Sequence, residues 1–241
     1  MFTKERSRPK NVPPALTRRN TTNCSAKIIK ISVPELSQIR NLYKKVKPGI
    51  LKRLGEFRGK EKTENSRILF TELCYCLLTP QSKARTCWEK VSELNSKGLL
   101  FKGGKKEIAE CLRGVRFRNN KAGYIYGARK ILPELKKGLR KIRDVNKLRR
   151  WLVKNVKGYG FKEASHFLRN IGRGTDLAIL DRHILKNLLA LKAVRKIPGH
   201  LSAKDYLSIE RKFLNLSRKI KIPAEHLDLL LWCRETHDIF K

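Results

Sequence analysis

The run Lys157-Gly158-Tyr159-Gly160-Phe161-Lys162-Glu163-Ala164-Ser165-His166, with Ala178-Ile179-Leu180-Asp181-Arg182-His183 beyond it, decides how this chain is read. Before it, Leu148, Trp151, Leu152 and Val156 recur at helical spacing; after it, Ala164, Phe167, Leu168 and Ile171 do the same. Two amphipathic helices therefore flank a Gly-x-Gly hairpin, and Gly172 stands where a helix often ends on a left-handed residue. Gly158 and Gly160 permit positive φ and close approach of another backbone. N–H groups at the hairpin and the next helix start lack intrahelical partners, and the helix dipole favours an anion there. A phosphate can dock on such a hairpin without any base being read. The same glycines also suit a plain turn between packed helices, so both readings stand.

Lys162 lies two residues past the hairpin, in the first turn of the second helix. A phosphate fixed by the hairpin would also fix this lysine relative to a sugar. An amine nucleophile must be neutral, and the helix N-terminus with nearby Lys154, Lys157 and Arg169 would favour that form. Its pKa should then fall from about 10.4 toward roughly 7–8. The ordinary alternative is a solvated surface lysine. Asp181 precedes the apolar face Ile184, Leu185, Leu188 and Leu189, which makes it an N-cap candidate worth about 1 kcal/mol. Backbone N–H bonds that cap a helix also hold a carboxylate ionised and oriented toward a developing positive charge. The cap and the chemistry are compatible.

The bulk composition agrees with a polyanionic partner. Across 241 residues, 57 Lys and Arg face 21 acidic residues, a net charge of +36. Residues 1–30 hold eight basic and one acidic residue, so most of the excess belongs to the remainder. Nucleic acid is the natural partner, because each neutralised phosphate releases condensed counterions. A ribosome-associated protein, or a host with a basic proteome, would give the same balance. Six cysteines without Cys-x-x-Cys or framework spacing read as free thiols in a reducing interior. They offer no four-cysteine cluster for iron–sulfur or zinc. His166 and His183 lack carboxylate companions in metal-ligand spacing and read as structural. No run of 18 apolar residues and no leader pattern is visible, so a soluble intracellular protein without membrane attachment is expected.

Along the chain, residues 1–33 are basic, contain Pro9, Pro13 and Pro14, and read as a flexible arm. From about Ser37 helical periods dominate and strand-like alternation is scarce. Helices are expected around Leu36–Tyr43, Ile68–Leu77 (stopping before Pro80), Lys83–Asn95, Ile108–Leu112, Asn120–Leu132 and Leu148–Val156. Four more follow the hairpin, at Lys162–Ile171, Asp181–Leu191, Ala203–Ile220 and Ala224–Thr236. The fold class is all-α, with roughly ten helices.

The strings from Val156 to Asn170 and from Ile179 to Leu185 resemble the helix–hairpin–helix superfamily of DNA base-excision glycosylases. With Val115-Arg116-Phe117-Arg118 and Leu227-Asp228-Leu229-Leu230-Leu231-Trp232, the likeness narrows to the second, mainly archaeal family of 8-oxoguanine DNA glycosylase/lyases, over about residues 35–241. The resemblance implies a two-lobed α-helical fold with DNA across the inter-lobe cleft. One lobe would combine residues 34–66 with 181–241; the other would span 67–180 and end in the hairpin unit at about 147–172. It implies that Lys162 attacks C1′ of a flipped-out nucleotide and that Asp181 assists. The resulting Schiff base would allow β-elimination and a nick 3′ to the abasic site. Phe117 and Trp232 are implied as stacking faces, Asp228 as a hydrogen-bond partner of the base, and the terminal carboxylate of Lys241 as a reader of the guanine. Core roles for Phe117 and Trp232 are the competing reading. Gly158 and Gly160 are implied as phosphate contacts. No redox cofactor or catalytic metal is required. The implied partner is double-stranded DNA containing 8-oxoguanine, met by a monomer inside a prokaryotic cell. The alternatives are a glycosylase/lyase for other oxidised bases and a non-catalytic helix–hairpin–helix DNA-binding module.

Overall fold

Residues 69–78 are all buried, ten in succession, and this apolar helix lies at the heart of one of the molecule's two cores. The computed structural model describes residues 31–63 and 65–241, and the arm expected at residues 1–33 lies outside them except for its last three. Among the described residues the chain forms twelve α-helices and one 3-10 turn, and no strand. The helices are α1 (Val33–Arg58), α2 (Ser66–Leu78), α3 (Ala84–Ser96), α4 (Leu99–Lys102), α5 (Lys105–Cys111), α6 (Arg118–Ala128), α7 (Leu132–Lys141), α8 (Val145–Asn155), α9 (Phe161–Asn170), α10 (Arg182–Ala190), α11 (Ala203–Ile220) and α12 (Ala224–Thr236).

Their ends follow from local chemistry. Ser32 and Glu35 form a reciprocal capping box that starts α1 three residues before the expected Leu36, with Pro34 in the first turn. The helix expected over Asn120–Leu132 instead stops at Ala128 and tightens into the 3-10 turn Arg129–Ile131. Pro133 has no N–H for the Arg129 carbonyl and would crowd it, so the chain restarts as α7 with the proline in its first turn. That helix, and the short α4, were not expected: their apolar positions are sparse among lysines and arginines. α9 ends as the glycine suggested. Gly172 takes φ +78°, its N–H bonds the Arg169 carbonyl, and the Arg173 N–H bonds Leu168 O at 2.8 Å. A Cβ on Gly172 would also meet Arg58 Cα at 2.8 Å, so this close crossing against α1 admits only glycine.

The apolar side chains form two cores. One gathers residues from Leu69 to Leu177, with α2 and α9 packed at its centre; the other joins α1 to α10, α11 and α12. Phe240, near the end of the chain, returns to the first core. The half-buried Trp232 of α12 packs against both, which places it in the seam between the lobes. The five described cysteines are unpaired and buried. No helix among the described residues is long and apolar enough to cross a membrane.

Candidate active site

The hairpin between α8 and α9 is built from its glycines and one inward tyrosine. Gly158 takes φ +95°, and a Cβ there would meet Tyr124 Cδ2 at 2.6 Å. Both the conformation and the contact exclude a side chain. Tyr159 is buried and donates its hydroxyl to the Leu73 carbonyl at 2.9 Å, pinning the hairpin to α2. The array of free N–H groups expected here is narrower than the sequence suggested. Tyr159 N–H bonds Val156 O at 3.0 Å, and Gly160 N–H is taken by the Glu163 carboxylate at 3.0 Å. Glu163, the third residue of α9, reaches back to the residue before the helix as a capping box does. The donors left for an anion are those of the first helical turn, which have no carbonyl one turn earlier.

Lys162 occupies that first turn and is half-buried. Its Nζ donates to Thr79 Oγ1 at 2.9 Å and lies 3.7 Å from Glu163 Oε1. Thr79 caps the C-terminus of α2, in the first lobe, whereas the neighbouring Phe161 ring packs at 5.6 Å from Tyr206 in the second. Lys162 therefore stands at the junction of the two cores. Its charge is felt by buried His166, whose pKa burial drives far down, with Arg169, Lys162 and Lys241 adding to the effect. His166 is accordingly neutral, its ring edge-on to Tyr75 at 5.4 Å.

Asp181 caps α10 as expected. Its Oδ1 accepts from His183 N at 2.8 Å and Ile184 N at 2.9 Å, while Oδ2 takes no donor among the described residues. Two residues upstream, Ile179 N–H bonds Asp228 Oδ1 at 3.3 Å. The other Asp228 oxygen accepts from Arg169 Nη1 at 2.5 Å. Asp228 is only 3% exposed, and burial pushes its carboxyl up to about 6 against the opposing Arg169 charge, with Asp181 adding to the rise. With one donor on each oxygen, Asp228 is held in place and keeps a lone pair on each for a further donor. An interior carboxylate needs a cation, and α9 supplies one. Trp232 lies one turn further along α12, its ring 6.5 Å from that of His183. Asp228 and Trp232 thus flank the segment Ile179–His183, which carries Asp181.

Lys241 is buried at the far end of the same polar chain. Its ammonium pairs with Glu72 Oε1 and lies 3.3 Å from the centre of the Trp88 ring. Burial lowers its pKa to about 8, opposed by the Glu72 charge. Glu72 shows the converse balance. Burial alone would raise its carboxyl, but Lys241 and Lys60 outweigh that and hold it below the usual value. Its second oxygen accepts from Asn170 Nδ2 at 3.1 Å, and Asn170 in turn accepts from Arg169. A continuous buried network therefore runs from Lys241 through Glu72, Asn170 and Arg169 to Asp228 and the backbone before Asp181. Phe117 is the contrast: it caps α6 at φ +59°, is 50% exposed, and carries the Arg116 guanidinium at 5.0 Å from its ring centre. Core packing does not account for such a residue.

Several side chains here escaped the sequence reading. Glu72 had a signal, being one acid inside an otherwise apolar helix. Lys121 and Arg149, both buried, had none among so many cations.

A family model described as 8-oxoguanine DNA glycosylase matches residues 50–222. An 8-oxoguanine DNA glycosylase/AP lyase of Fusobacterium nucleatum is 40% identical over 210 residues, 85% of this chain and 97% of its own length. One from Korarchaeum cryptofilum is 39% identical over 199 residues, covering 82% and 92%. The match is thus bacterial as well as archaeal. The crystal structure of the Methanocaldococcus jannaschii 8-oxoguanine glycosylase/lyase with a 15mer DNA containing 8-oxoguanine superposes with a TM-score of 0.80 at 33% identity, covering 86% of this chain and 100% of that one. With a helix–hairpin–helix presenting Lys162 at the seam of two helical lobes, and relatives matched over nearly their full length, the chain belongs to the 8-oxoguanine DNA glycosylase family.

Proposed function

We propose that the protein flips 8-oxoguanine out of double-stranded DNA, excises it through a Schiff base on Lys162, and nicks the abasic strand by β-elimination. The observation that carries this reading is the placement of Lys162: half-buried, in the first turn behind the hairpin, at the lobe junction. Its neutral amine attacks C1′ as the N-glycosidic bond breaks, and the base leaves with the bonding electron pair. The nitrogen then gives up a proton and the C1′–O4′ bond opens, its oxygen taking a proton, which leaves the protonated imine; loss of the 2′ proton from this imine expels the 3′ phosphate. Asp181, fixed through Oδ1, turns Oδ2 toward the positive charge that develops on the sugar. The first turn of α9, with Gly158 and Gly160, docks a phosphate beside the flipped nucleotide, Gly160 once Glu163 has released its N–H.

Phe117 and Trp232 stack on the extruded base, the first from an exposed lip and the second from the seam. Main-chain atoms at Lys241 present an acceptor to the N7–H that distinguishes 8-oxoguanine from guanine, held in place by the Lys241–Glu72 pair. Asp228 accepts a hydrogen bond from the extruded base with a remaining lone pair, and also fixes the backbone before Asp181. Action as a monomer inside a prokaryotic cell belongs to the same proposal. The absence of a four-cysteine cluster favours oxidised purine over the oxidised-pyrimidine alternative within the superfamily.

The test is a panel of duplexes carrying 8-oxoguanine, guanine or an oxidised pyrimidine, assayed for base release and strand nicking. Release of 8-oxoguanine with a 3′ nick is expected, with guanine untouched. Binding without release on every duplex would leave only a DNA-binding module.

A further inference from the structure

The hydroxyl of Thr79 faces two ways. It donates its proton to the Cys76 carbonyl at 3.1 Å and accepts an N–H from Lys162 Nζ at 2.9 Å. A hydroxyl has one proton to give, and a carbonyl can only receive it. Thr79 can therefore serve Lys162 solely as an acceptor. For a neutral amine the consequence is specific: one N–H is anchored on Thr79, and the nitrogen lone pair points elsewhere, unconsumed. A freely rotating hydroxyl in the same place could donate to that lone pair and quench it.

The turn that carries Thr79 is held by a second lysine. Lys121 of α6 is 3% exposed, and its ammonium donates to Leu78 O at 2.7 Å, Pro80 O at 2.8 Å and Ser82 Oγ at 3.0 Å. All three of its protons are used, each on the turn that flanks Thr79. Ser82 also accepts from Arg116 N at 3.1 Å, tying the turn to the residue beside Phe117. Gln81 within it takes φ +53°, a conformation that persists only where surroundings fix it. A desolvated cation is costly to bury, and here its whole hydrogen-bonding capacity serves one short segment.

We propose that Thr79 is a positioning residue for the nucleophile: clamped by the Lys121-braced turn, its hydroxyl locks the Lys162 amine with the lone pair free for C1′. The proposal rests on the reading of Lys162 as nucleophile.

The test compares Thr79→Val, which keeps shape and loses the acceptor, with Thr79→Ser, which keeps the hydroxyl. Thr79→Ala stands in for valine should that variant unfold. Single-turnover excision at saturating 8-oxoguanine duplex, duplex Kd and Tm are measured for each. The valine variant should be slowed about 10- to 100-fold with Kd unchanged, and serine should restore the rate to within about threefold. A valine variant at wild-type rate, or a serine variant as slow as valine, overturns the inference. If either occurs while Lys162→Gln is inactive, the nucleophile reading stands and only the role of Thr79 falls. An active Lys162→Gln would remove the nucleophile reading itself.

Discussion

Lys162→Gln is expected to lower base excision by about four orders of magnitude or more while leaving duplex affinity within about threefold. Glutamine is one bond shorter but keeps the unbranched stem and a neutral N–H donor on the side facing Thr79 Oγ1, so the local packing of α9 should persist. What disappears is the lone pair that forms the imine. Duplex affinity in so basic a chain is spread over many phosphate contacts, and one of them changes little. The residual rate would come from Asp181 acting on a hydrolytic route. Single-turnover kinetics on an 8-oxoguanine duplex, with Kd measured alongside, separates the two quantities. A variant within tenfold of wild type would show that Lys162 is only a phosphate contact.

Arg149→Met should cost about 3–5 kcal/mol of stability. The guanidinium is 2% exposed and grips Glu210 with both terminal nitrogens, at 2.6 and 2.8 Å. It also donates to Ser165 at 3.1 Å and Asn146 at 2.9 Å, and lies 5.2 Å from the centre of the Phe161 ring. Glu210 in turn accepts from Ala178 N–H at 3.0 Å, just before the segment that leads to Asp181. One ion pair thus joins both helices of the hairpin unit to α11 in the other lobe. Removing the cation strands a buried carboxylate, whereas removing both charges does not. The double variant Arg149→Met/Glu210→Leu should therefore recover much of the loss, although Ala178 N–H then lacks its acceptor. Denaturant unfolding of the single and double variants measures this. A single variant within about 1 kcal/mol of wild type would contradict the assigned role.

The parts legible in the sequence share a physical origin. Gly158, Gly172 and the Asp181 cap were readable because backbone geometry imposes its own residue requirements at fixed offsets. The apolar period of α8 and α9 was readable because one face of each is buried. The break before Pro133 was not read: one helix was expected through Leu132, and the restart as α7 had little apolar signal. Partners of charged groups were not legible. Nothing in the string separates Lys121, spent on a turn, from the solvated lysines around it, because burial is a property of the packed chain. Asp228 illustrates the same limit. The string showed a carboxylate on an apolar helix, and only the fold brings Arg169, 59 positions away, against it. The free N–H groups at the hairpin were over-counted for a related reason, since Glu163 competes for one of them.

The proposed chemistry turns on a covalent bond between one nitrogen and one sugar carbon. Borohydride reduction during turnover of an 8-oxoguanine duplex, followed by mass spectrometry of the digested adduct, locates that bond. The predicted result is a single deoxyribose remnant on Lys162, absent from the Lys162→Gln variant. An adduct on Lys121 or another lysine, or turnover with no adduct at all, would contradict it.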